Sequence, residues 1–198
     1  MKASNGISEI PISELPNLGS FKITSSDGSE YKVATHVTAK RISSKSNSKN
    51  QLIEVTVIAD TSKDPVTRVG SNRPAELWDQ TYGVRAYSTI YYDLRYFGDT
   101  AGYLLTNVSG GFQISDGDLG VLNPSGGYGC WGRSVTGTTT SNQTGRISFN
   151  GLTFNQSTGF TEYITLDTGA DMFGCSTTAT INELGTSNTW FIQLDNNL

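Results

Sequence analysis

Short stretches in which apolar and polar residues alternate, each closed by a glycine- or asparagine-bearing turn, recur along most of this chain and leave almost no room for a helix. Successive side chains of a strand point to opposite faces, so this alternation is what a half-buried strand requires. Strand-like runs fall at 21–24, 31–42, 51–60, 83–97, 102–108, 111–115, 133–140, 146–154, 160–166, 176–181 and 189–194. The last sets Trp190, Ile192 and Leu194 on one face and Phe191 and Gln193 on the other. Turn clusters such as Phe97-Gly98-Asp99 and Asn123-Pro124-Ser125-Gly126-Gly127 separate the runs. A helical turn is expected only at Pro74-Ala75-Glu76-Leu77-Trp78, where Pro74 suits a first helical position. The fold class expected is all-β, an antiparallel β-sandwich of jelly-roll or immunoglobulin-like kind.

One domain spanning 1–198 is the expected organisation. Every lysine lies at or before Lys63, which makes the first part net basic and the remainder net acidic. A boundary there would leave an N-terminal piece too small to fold readily alone. Residues up to about 20 read as an extended lead-in, because Pro11 and Pro16 would break a helix. The polar stretch 43–50 reads as a hairpin tip.

Charge excludes one class of partner. With a net charge of -4 and only 16% charged residues the chain cannot neutralise a phosphate backbone, so nucleic acid is not expected. No apolar run reaches the roughly 18 residues of a membrane span. The start, Met1-Lys2-Ala3-Ser4-Asn5, lacks the apolar core of a signal peptide and reads as a mature chain with an added Met. Cys130 and Cys175, the only cysteines, suggest a disulfide in an oxidising compartment, and with it an extracellular or cell-surface location. Such a bridge would stabilise by about 4 kcal/mol.

Candidate site residues come from one aromatic run. In Tyr91-Tyr92-Asp93-Leu94-Arg95-Tyr96-Phe97, alternation places Tyr91, Asp93, Arg95 and Phe97 on one face and Tyr92, Leu94 and Tyr96 on the other. One face should be core and the other could present aromatic platforms with an Asp-Arg pair. Tyr91, Tyr92, Asp93 and Tyr96, joined by Tyr128 and Trp131 beside Cys130, are the ligand-binding candidates. An ordinary aromatic cross-strand ladder would give the same pattern.

Other motifs read as structure. Gly127-Tyr128-Gly129-Cys130-Trp131-Gly132 has nucleotide-loop spacing, but a β-branched stretch follows where a helix is needed, so a glycine bulge is expected. His36 is the only histidine and alternates with polar neighbours, which excludes two-histidine metal sites and points it to solvent. Asp116 and Asp118, or Asp167 and Asp171, could hold calcium, though no complete calcium loop is present and Asp-Gly is ordinarily a turn. No other cofactor or metal is expected. The Ser/Thr-rich stretch 134–148 lacks the apolar alternation of a membrane-inserting hairpin and reads as an exposed edge hairpin. Asn107, Asn142 and Asn155 head glycosylation-type triplets.

The segments 109–115 and 127–133, with the closing Trp190-Phe191-Ile192-Gln193 and Asn196-Asn197-Leu198, resemble uncharacterised exported proteins of Gram-positive bacteria. The resemblance covers roughly the last 90 residues. It implies secretion and a β-rich fold, and no activity. The function expected is non-catalytic recognition of a glycan or protein. One alternative is a secreted hydrolase using Asp93, Asp116 or Asp118; another is a toxin or pore-forming β protein.

Overall fold

The computed structural model describes residues 20–25, 30–32, 35–44, 50–60, 67–68, 83–137, 139–166 and 172–198, with side chains at 53–57 and from 83 onward within those ranges. The lead-in to residue 19, the tip at 45–49, the helical turn at 74–78, Asp167 and Asp171 lie outside the described residues. The strands, in chain order, are β1 (Ser20–Ser25), β2 (Glu30–Lys32), β3 (Thr35–Ser44), β4 (Asn50–Asp60), β5 (Thr67–Arg68), β6 (Val84–Phe97), β7 (Thr100–Ile114), β8 (Leu119–Arg133), β9 (Thr140–Arg146), β10 (Thr153–Ser157), β11 (Met172–Glu183) and β12 (Thr189–Asn197).

These form a seven-stranded sheet, β5-β2-β1-β12-β11-β8-β9, and a five-stranded sheet, β10-β7-β6-β4-β3. Every ladder is antiparallel. The β-sandwich follows from which faces meet. Val84, Ala86, Ile90 and Tyr92 of β6 are buried against Phe173, Cys175, Ala179 and Ile181 of β11 and Trp190, Ile192 and Leu194 of β12. The Phe173 ring lies edge-on to Tyr92 at 5.6 Å and to Tyr103 at 6.1 Å, both on the opposite sheet. Asn196, buried on β12, donates through Nδ2 to the carbonyls of Val55 (3.3 Å) and Ser88 (3.1 Å) across the core. A buried amide with such partners holds two layers in register rather than weakening them.

Several sequence expectations change. The turn expected at 123–127 is instead the interior of β8, where the ladder slips between Thr178 and Thr180 and Asn123 takes a φ of 51°. A proline in a strand is tolerated at such an irregularity, and Pro124 sits there. The glycine motif at 127–132 is regular ladder, paired residue by residue with β11 and β9, and no bulge falls within it. The runs at 102–108 and 111–115 are one strand, β7, with an extra residue at Thr106 whose hydroxyl donates to Tyr91 O. The run expected at 146–154 is broken by a two-residue turn in which Gly151 has a φ of 61°. The stretch 134–148 supplies the turn and the edge strand β9 of a hairpin whose other arm is β8, so the strand expected at 133–140 falls largely in that turn.

The expected Cys130–Cys175 disulfide is absent; both thiols are free and fully buried. Register explains it. Cys130 stands opposite Phe173, while Cys175 stands opposite Tyr128, so the two cysteines are diagonal neighbours on one face. Diagonal positions lie about 7–8 Å apart, beyond the roughly 4.4–6.8 Å that a disulfide spans. Burial pushes each thiol up to about 12. Buried and held in the thiol form, neither should react in the native state. Iodoacetamide without reductant should therefore add nothing to the native chain and two alkyl groups to the denatured one, read by mass spectrometry.

Residues 158–166 close one side of the sandwich. Tyr103 and Ile164 exchange backbone bonds of 2.8 and 3.0 Å on the five-stranded side, while Val135 N–H donates to Tyr163 O (3.1 Å) and Thr165 N–H to Arg133 O (2.8 Å) on the other. The strand expected at 160–166 is thus an extended crossing segment with isolated bridges. Ile164 and Thr165 are the buried residues of this segment.

Candidate functional site

β6 is long because its core face and its outer face are each chemically consistent. Even-numbered positions from Val84 to Tyr92 enter the core, so Arg85, Tyr87, Tyr91, Asp93, Arg95 and Phe97 face outward, as alternation dictates. Past the core, the far end of β6 meets the crossing segment. There the Tyr163 hydroxyl donates to Asp93 Oδ2, and Arg95 Nη2 donates to the same oxygen at 3.3 Å. Both bonds end on Oδ2; among the described residues Oδ1 accepts none. The Arg95 guanidinium lies over the Tyr163 ring, 4.8 Å from its centroid, and Phe97 meets that ring edge-on at 5.3 Å. Phe97 and Val135 both close on Gly102, where an added side chain would collide with them.

This cluster is partly open to solvent, with 42% of the Arg95 side chain and 23% of that of Asp93 exposed. Its charges are internally matched, and burial, followed by the bond to Asp93, pushes the Tyr163 phenol up to about 12. The phenol therefore stays protonated and remains a donor through the physiological range. The arrangement presents aromatic surface, a carboxylate and a guanidinium side by side on a rigid strand.

The other candidates disperse. Tyr91 shares the outer face with Asp93, two residues along. Tyr96 is exposed at the end of β6, on the opposite side of the strand. Tyr92 is a core residue, pushed well up in pKa by burial. Tyr128 is also core: its ring covers Gly145, meets Phe160 at 5.5 Å, and its hydroxyl accepts from Gln156 Nε2 at 3.1 Å. Trp131 is exposed, beside Met172 on the outer face of the seven-stranded sheet, and so points away from Asp93. Of the six candidates, Asp93 alone stands in the cluster, Tyr91 lies beside it on the same face, Tyr96 is exposed on the opposite side of the strand, Tyr92 and Tyr128 are core, and Trp131 is on the far face. Tyr163 was not among them, and nothing in the run 160–166 names Asp93 as its partner.

No family model, curated protein or solved structure matches the chain. The site must be read from its own chemistry.

Asp93 stands far from Asp116 and Asp118, which lie together in one turn. Asp116 is hydrogen-bonded to Gly83, ahead of the first residue of β6, about 30 Å along the strand from Asp93. Inverting and retaining glycosidases place their carboxyls within about 10 Å. Asp116 Oδ1 instead accepts the Asp118 N–H at 2.9 Å, closing a turn. Among the described residues no three His, Cys, Asp or Glu side chains gather as a metal-binding group, and no helix is long and apolar enough to cross a membrane.

Proposed function

We propose that the protein is a non-catalytic recognition module, exported and acting at or outside the cell surface, whose ligand is a neutral glycan. The observation that carries this reading is the Tyr163–Asp93–Arg95 cluster, open to solvent on the outer face of the five-stranded sheet. Sugars offer hydroxyl donors beside apolar C–H faces. Oδ1 of Asp93 can accept from a hydroxyl in a charge-assisted bond, Arg95 can donate to a ring or glycosidic oxygen, and the neighbouring aromatic surface can take a C–H face. With the thiols free, the case for export rests on composition and on the resemblance to exported proteins.

Immobilised cellohexaose, maltohexaose, mannohexaose and chitohexaose form a suitable first panel. At least one should retain the protein, and Asp93→Ala should weaken that binding by at least about tenfold, or roughly 1.4 kcal/mol. No retention, or equal retention of the variant, would remove the reading.

A further inference from the structure

The Tyr163 ring works on the five-stranded sheet, but the groups that hold its backbone belong to the other one. Gln143, on edge strand β9, accepts through Oε1 from the N–H groups of Thr161 (3.1 Å) and Glu162 (3.3 Å). Its Nε2 donates to the Glu162 carbonyl at 2.9 Å. Three bonds from one side chain thus fix the two residues immediately before Tyr163. On the same side the Ser134 hydroxyl holds the Glu162 carboxyl below its usual range. Neighbours in an extended chain point to opposite sides, so pinning residue 162 toward the seven-stranded sheet sends residue 163 toward Asp93.

Resting on the glycan-binding reading, we propose that Gln143 is a positioning residue for the site: it touches no ligand, yet sets where the Tyr163 ring lies over Asp93 and Arg95. Recognition on one sheet then depends on an amide contributed by the other. The side chain is suited to the task because a glutamine offers an acceptor and a donor together, matching consecutive N–H and C=O groups. Alanine offers neither.

The test combines a ligand-free and a ligand-bound readout on the full chain. In Gln143→Ala, amide exchange at Thr161 and Glu162 should rise by about tenfold or more while Ile164 stays protected, and the Tyr163 ring resonances should shift. Affinity for the hexasaccharide retained best should fall about fivefold, with no further loss when Gln143→Ala is added to Tyr163→Ala, because coupled residues are not additive. Gln143→Glu keeps the acceptor and should retain the exchange protection, which serves if the alanine variant folds poorly. Unmoved Tyr163 resonances, or fully additive losses, would overturn the proposal. If the wild type retains no hexasaccharide, the glycan reading fails, while the exchange and ring-shift measurements still decide whether Gln143 positions Tyr163.

Discussion

Phe173→Ala should lower the stability of the protein by about 3–5 kcal/mol, the range for emptying a fully buried aromatic position. Phe173 is wholly inaccessible and reaches from β11 into the rings of Tyr92 and Tyr103 on the other sheet. The loss therefore combines transfer of the ring to water, a cavity between layers, and two edge-to-face contacts worth about 0.5–1.5 kcal/mol each. Phe173→Leu keeps most of the volume and should cost well under half as much. Urea unfolding of both variants checks this. A change near about 1 kcal/mol in the alanine variant would mean that the two sheets do not meet through this ring.

Gly174→Ala, one residue along, should be nearly as damaging for a different reason. Gly174 has a φ of 154°, a conformation that L side chains rarely adopt, and an added Cβ would overlap the carbonyl oxygen of Asn196 on the paired strand. The strain and the enforced separation of β11 from β12 together amount to about 2–6 kcal/mol. Because Asn196 is the buried amide that bonds Val55 and Ser88, displacing its backbone also disturbs the bridge between layers. The expected result is a lower urea midpoint and faster amide exchange along β12. An unchanged midpoint would show that this stretch of ladder is not packed as described.

What could be read from the chain was whatever depends on alternation alone. Trp190, Ile192 and Leu194 enter the core together, and Tyr91, Asp93, Arg95 and Phe97 share an outer face, each as period two requires. The same rule, applied to Tyr128 and Cys130, would have placed both inside with Gly132, since they alternate with exposed Trp131. Turn chemistry misled at 123–127, where asparagine, proline and glycine sit inside β8 because the ladder absorbs an irregularity there. Facts that depend on register were out of reach: the diagonal offset that keeps Cys130 from Cys175, and the extra Thr106 that changes which β7 residues face inward beyond it. Tertiary partners were equally hidden. Asn196 bonds a carbonyl 141 positions away, and Tyr163 meets Asp93 across 70, with no local pattern to announce either.

Isothermal titration of the best-retained hexasaccharide into wild-type, Asp93→Ala and Trp131→Ala protein tests most directly whether the outer face of the five-stranded sheet is the binding surface. Asp93→Ala should weaken binding by at least about tenfold, while Trp131→Ala, on the opposite face, should stay within about twofold of the wild type. Loss of binding in Trp131→Ala with Asp93→Ala unaffected would contradict the assignment and move the site to the seven-stranded sheet.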